Sequence, residues 1–237
     1  MTVLNKDKAK NAVTVPVDEV EMSITLTNEQ AMQVAQQQAE AKGYLNEFKF
    51  TYQMSNQFAE GICKIGQMFC DGINLENEID IWVPTLAYQA ICMDGPAKKF
   101  YGKVIFPYSE ANYHTTKKYL DLKLKFKDRS AKDFKEGNLF LFYLPEYDKF
   151  CSAFFSGTLV NAGNKLFNLL LSGKGNYIRL KSNEIAGKRY LNVTVESIAP
   201  FAKPKVNMDR LDKAIELLML DTREETDSSE TKSAGGR

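Results

Sequence analysis

The chain has 237 residues, 44% of them hydrophobic and 26% charged, with a formal net charge of +1. This is enough apolar material to bury a core, and no apolar run approaches the roughly 18–20 residues that a membrane helix needs. The near-neutral total hides a segregation, because residues 1–97 sum to −7, residues 98–205 to +11 and residues 206–237 to −3. A basic middle between acidic ends points to a polyanion ligand.

Residues 1–21 read as extended, polar and lysine-bearing, without the apolar stretch of a secretory signal, so the expected location is the cytoplasm, or the host cytoplasm for a viral chain. Thr27–Gln30 fits a capping box, residues 31–42 are helix formers, and Gly43 is placed to end that helix. Phe48, Phe50, Tyr52 and Met54 alternate with polar residues, which predicts a strand. Ser55 then caps a predicted helix over 56–70, with Phe58, Ile62, Ile65 and Phe69 at helical spacing. Ile79–Met93 reads as a mostly buried strand in which Pro84 marks an edge or a bulge. Asp94-Gly95-Pro96 coincides with the change of charge and sets a soft boundary between an acidic mixed α/β half, 1–97, and a basic region, 98–205.

From Lys98 onward the pattern is strand after strand. Residues 100–108 form one. In 119–127, Leu120, Leu122, Leu124 and Phe126 alternate with Tyr119, Asp121, Lys123, Lys125 and Lys127, which predicts a strand with an apolar back and a front ladder of lysines. Further strands are expected over 139–144, 149–155, 176–182 and 188–198, with a helix over 158–171. Three strands, a helix and a hairpin is the order of an OB-like five-stranded barrel with its helix between strands 3 and 4. The expected class is therefore α+β, mainly antiparallel; an SH3-like barrel and an open α+β sheet are the alternatives. Met208, Leu211, Ile215 and Leu218 give a final amphipathic helix over 206–220, suited to packing on the barrel or to pairing with another subunit. The Thr/Ser/Glu-rich tail, 221–237, is expected to be disordered.

Single-stranded nucleic acid is bound by cations that track phosphates and by flat rings that stack on bases. Candidates of both kinds share the predicted strand faces: Lys99, Tyr101 and Lys103; Tyr119, Lys123, Lys125 and Lys127; Tyr177, Arg179 and Lys181; Lys188 and Arg189. The plain reading of each ring is core and of each lysine a solvated face, so the weight rests on the constellation. Catalysis has less to work with. His114 is the one histidine, no nucleophile elbow lies near it, and Ser172-Gly-Lys-Gly175 follows a helix where a phosphate loop would precede one. Glu76, Glu78 and Asp80 alternate as Mg²⁺ ligands could, but no second acidic cluster joins them, and a solvated loop is the better reading. Cys63, Cys70, Cys92 and Cys151 stand singly in apolar settings, as reduced thiols would. No enzyme activity, cofactor or metal is expected.

The segment Asn138–Pro200, through Phe142-Tyr-Leu-Pro-Glu146, Phe154-Phe-Ser-Gly-Thr158 and Lys188-Arg-Tyr-Leu-Asn-Val-Thr-Val195, resembles the OB-type DNA-binding domains of bacteriophage replication and recombination proteins. The resemblance implies sequence-tolerant binding of single-stranded DNA. The acidic stretch Asp221–Glu230 is similar in placement to the tails by which such proteins recruit partners, although it ends in Gly-Gly-Arg237 without an acidic-aromatic tip. RNA is the alternative ligand of the same face. The alternative of another class is a non-enzymatic protein-interaction factor, such as a virion component or an inhibitor of a host protein, working through the acidic half or the last helix.

Overall fold

The computed structural model describes residues 45–94, 99–110, 112–128, 133–173, 176–188, 190–200 and 206–220. The expected helix at 31–42, the tail from 221, Lys98, Arg189 and the side chains of Lys99, Lys125 and Lys127 lie outside the described residues. Among them, nine strands form one curled half-barrel sheet, α+β in class and mostly antiparallel. They are β1 (Asn46–Phe50), β2 (Met68–Cys70), β3 (Ile73–Asn74), β4 (Glu78–Asp94), β5 (Lys99–Pro107), β6 (Asp133–Leu144), β7 (Lys149–Ser156), β8 (Tyr177–Glu184) and β9 (Leu191–Ser197). The order is β3-β2-β1-β7-β6-β4-β8-β9, with β5 added to β4. Strands from both sides of the soft boundary at Asp94 share this sheet, and among the described strands β1 makes its one parallel ladder, with β7.

β4, 17 residues long, is the hub. It pairs with β6 along one side, and on the other with β8 through Glu78–Trp82 and with β5 through Ala87–Asp94. Pro84 falls between those two stretches, where its missing N–H leaves no ladder bond unmade. The β6 register slips there, Trp82 facing Tyr143 and Thr85 facing Leu141, which is the bulge that Pro84 predicted. The extra residue reverses the alternation. Ile79, Ile81 and Val83 face the same side as Tyr88, Ala90 and Cys92, whereas Trp82 shares the opposite face with Ala87.

Helices cover both faces. On the first, α3 (Val160–Leu171) buries Leu166 in a core of Phe48, Phe50, Phe140, Phe142 and Phe155. Most of these rings meet edge to face, with Phe48 and Phe142 centroids 5.2 Å apart, while Phe140 and Phe142 stack. α4 (Met208–Met219) packs Leu211, Ala214 and Leu218 against Leu139, Leu141, Tyr143 and Phe150 on the second face, so its stripe is occupied within the chain.

Two expectations are corrected. The stretch 119–127 is no strand. It lies in α2 (Lys117–Asp128), whose Tyr119 and Leu122 are buried against Ala90, Cys92, Val104 and Phe106. Tyr119 and Leu122 are three apart, so the same letters that alternate also form a helical stripe. The twelve residues hold no β-branched side chain and are rich in leucine and lysine, which tips the choice to helix. The helix expected over 56–70 shrinks to α1 (Asn56–Ala59), because Gly61 and Gly66 adopt left-handed backbone at φ 72° and 89°. Gly66 also lies against β8, where an added Cβ would stand 2.9 Å from the Glu184 amide nitrogen.

One buried charge fastens the small strands to the rest. Lys149, 1% exposed, donates from Nζ to the Asp71 carboxylate at the β2–β3 turn, and Asn46 Nδ2 donates to the same oxygen at 3.1 Å. The bond crosses β1 and clamps β2 to β7. Asp71 is 20% exposed and can rehydrate if abandoned, whereas Lys149 cannot. Asp71→Asn is therefore expected to cost about 3–5 kcal/mol in urea unfolding, and Lys149→Met less. Equal losses would show that the burial difference does not govern the pair.

Candidate functional site

The predicted site residues do not converge on one surface. On β8, Arg179 makes a bidentate pair with Asp80 of β4, Nε to Oδ1 at 2.6 Å and a terminal nitrogen to Oδ2 at 2.7 Å, and approaches Glu78 at 3.2 Å. Lys181 reaches Glu78 at 3.3 Å and Glu196 of β9 at 3.9 Å. Cross-strand register sets these partners, Glu78 standing opposite Lys181 and Asp80 opposite Arg179. The hydrogen bonds from Arg179 hold the Asp80 carboxyl below its usual range. Glu78 and Asp80 are thus partners of cations in a cross-strand charge ladder, and among the described residues no group of acidic, histidine and cysteine side chains could hold a metal ion. Tyr177 lies at the start of β8, half-buried, and Lys188 is exposed in the β8–β9 turn.

Tyr119 is corrected from stacking platform to strut. It is 2% exposed, and its hydroxyl donates to Glu136 Oε1 of β6 at 2.8 Å. Burial, then the Glu136 carboxylate, pushes its phenol well above the ordinary range. The Nζ of Lys123 sits 5.0 Å from the centre of its ring and 5.9 Å from that of Phe134. His114 Nδ1 lies 3.7 Å from the other Glu136 oxygen, and its ring lies against Tyr113 with 3.9 Å between centroids. The one histidine thus helps hold α2 to the sheet. Tyr101 falls at a second bulge, where the β4–β5 register slips beside Cys92, and packs against the α2 cluster. Lys99 stands in register with Asp94.

Lys103 leads to a different place. Beside α4, the second face of the sheet opens into a groove of about 650 Å³. Ile91, Ile105, Leu139 and the half-buried ring of Phe154 form its apolar floor, with Lys49, Lys103, Gln89 and Ser152 among its polar lining. Register extends the basic rim: Ile91 is paired on one side with Lys103 and on the other with Lys135, so these two lysines flank it on one face. Lys49 is 3.0 Å from Glu47 on the same strand. The arrangement offers an apolar, ring-bearing trough with cations from β1, β5 and β6. Of its polar and aromatic residues, sequence reasoning singled out only Lys103. Phe154 and Lys49 each alternate with buried neighbours, Phe154 lying between Ala153 and Phe155 and Lys49 between Phe48 and Phe50. That alternation is the signal by which they could have been found.

Compared with protein-family models, curated proteins and solved structures, the chain matches none of them.

Two outcomes follow from the ladder and the strut. Tyr119→Phe strips Glu136 of a donor and is expected to cost about 1.5–3 kcal/mol in thermal or urea unfolding, with nucleic-acid affinity unchanged. A loss of affinity without loss of stability would return Tyr119 to a binding role. Because the Asp80 pKa is lowered in the folded state, its contribution is full above the ordinary carboxylate range and fades as pH falls through the lowered value. Asp80→Asn should therefore narrow the stability gap to wild type as urea titrations move from pH 7 to pH 3, and a constant gap would show that the pair carries no proton linkage.

Proposed function

We propose that the protein is a non-enzymatic binder of single-stranded DNA, acting in replication or recombination of the phage-like kind that the resemblance implies. The observation that carries this reading is the groove: an open trough with an aromatic ring on its floor and lysines from three strands at its rim. Bases laid over Phe154, Ile91 and Ile105 would leave their phosphates toward Lys49, Lys103 and Lys135, an arrangement that favours any sequence alike. The OB-like element of the proposal rests on β6, β7, α3, β8 and β9, four of the five expected strands with the expected helix between them, in a curled sheet; the expected first strand, 119–127, is α2.

A second reading, the protein-interaction factor, is supported by Met54, Phe58 and Ile62. They recur every four residues around α1 and are 95%, 38% and 40% exposed.

Fluorescence anisotropy with a labelled oligonucleotide across a salt series tests the first reading. Three phosphate contacts predict a log–log slope of about −2, and Lys49→Ala, Lys103→Ala and Lys135→Ala should each flatten it by about 0.7. Phe154→Leu keeps the packing but removes the π-face, and is expected to lose about 1 kcal/mol of binding. An absence of binding at low salt, or a slope indifferent to all three lysines, would end this reading. Competition with RNA of the same sequence decides between the two nucleic acids.

A further inference from the structure

Gln89 lies on the groove face of β4, between Ala87 and Ile91, and is 8% exposed. Its carboxamide belongs to the polar lining of the groove, yet among the described residues no hydrogen bond takes it up. A buried amide without partners has given up its hydration for nothing, and such a group calls for something to complete it. Its neighbours do not. Register places Ile105 of β5 beside it on one side and Gly137 of β6 on the other, and neither has a polar side chain.

Gly137 makes room of a particular shape. It stands in register with Ser156 of β7, and a Cβ added to it would come within 2.1 Å of the Phe155 carbonyl oxygen, so the position stays without a side chain. Two residues further along β6, Leu139 faces Phe154. The Phe154 ring and the Gln89 amide thus belong to neighbouring rows of the sheet, on strands about 10 Å apart. The position between them in the Gln89 row is bare. A base stacked on Phe154 can run over Gly137 and bring its edge to Gln89.

The amide offers a donor beside an acceptor, the pattern that grips a base edge by two hydrogen bonds. Adenine answers on both of its edges, N6 donating beside N7 and beside N1, whereas guanine, cytosine and thymine answer on one. As a purine it also reaches farther from the stacking ring than cytosine or thymine. We propose that Gln89 is the base-reading residue of the groove, hydrogen-bonding the edge of an adenine whose ring stacks on Phe154. This rests on the DNA-binding reading and adds to it. The rim lysines and the Phe154 ring treat all bases alike, and Gln89 gives one position at which they differ.

Anisotropy competition on the full chain with oligo-dA, oligo-dC and oligo-dT tests it. Oligo-dA should bind roughly fivefold or more tightly than the other two, the lower end of what a bidentate contact discriminates. Gln89→Met keeps the length of the side chain without its amide, and should bring the three to one affinity while leaving the salt slope unchanged. A second probe leaves the protein alone. Oligo-dA whose bases lack the N6 amino group loses the donor of both edges, and should fall to the affinity of oligo-dC. Equal affinities for the three, a preference for dC or dT, or a dA preference that survives Gln89→Met would each overturn the proposal with DNA binding left standing. Failure of every oligonucleotide to bind at low salt would end the DNA-binding reading itself, and this proposal with it.

Discussion

The missing amide hydrogen of Pro84 is a small thing on which much of this sheet turns. β4 must serve β8 first and β5 afterwards on the same side, and a ladder interrupted between them needs a residue that asks for no bond there. The bulge at that point adds one residue against β6 and so exchanges inside for outside in everything that follows. Because of it Tyr88, Ala90 and Cys92 lie beneath α2, while Gln89 and Ile91 line the groove. Without that one-residue offset the apolar wall under α2 and the groove floor would trade places, and neither face would fit its cover.

Electrostatically the molecule directs more of its positive charge inward than its sequence suggests. Arg179 and Lys181 answer carboxylates of β4 and β9, Lys149 is taken up by Asp71 in the interior, and Lys123 lies over two rings. Among the described residues, part of the +11 surplus between residues 98 and 205 is thus answered by carboxylates and rings, while Lys103 and Lys135 stand beside the apolar groove floor.

Local pattern made half of this structure legible. The sequence from β6 through β9 could be read because each segment carries its own period and is closed by its own turn: Pro145, Ser156-Gly157 and Asn183–Gly187 all act within a few residues. The α2 stretch misled because alternating leucines also satisfy a helix at Tyr119 and Leu122, and the arbiter, the absence of β-branched residues, is weaker than the pattern it had to overrule. The helix placed over 56–70 failed for the opposite reason, since Gly61 and Gly66 outweigh a helical spacing that was present. The site was harder. Whether Arg179 meets phosphate or Asp80 depends on which residue of β4 stands opposite it, a fact of register between segments about a hundred residues apart. The groove's members come from β1, β4, β5, β6, β7 and α4, so no single stretch announces it.

The parallel ladder between β1 and β7 also has a meaning in time. The Ser152 hydroxyl reaches the carbonyl of Asn46 across 106 positions of sequence. During synthesis at roughly 5–20 residues per second, β1 leaves the ribosome several seconds before the strand that completes it. Over that interval Phe48 and Phe50 lack the β6 and β7 rings of their core, and Asp71 lacks Lys149. The N-terminal strands are thus made well before the strand that completes their ladder, and the β6–β7 hairpin must emerge before they can join the sheet through it.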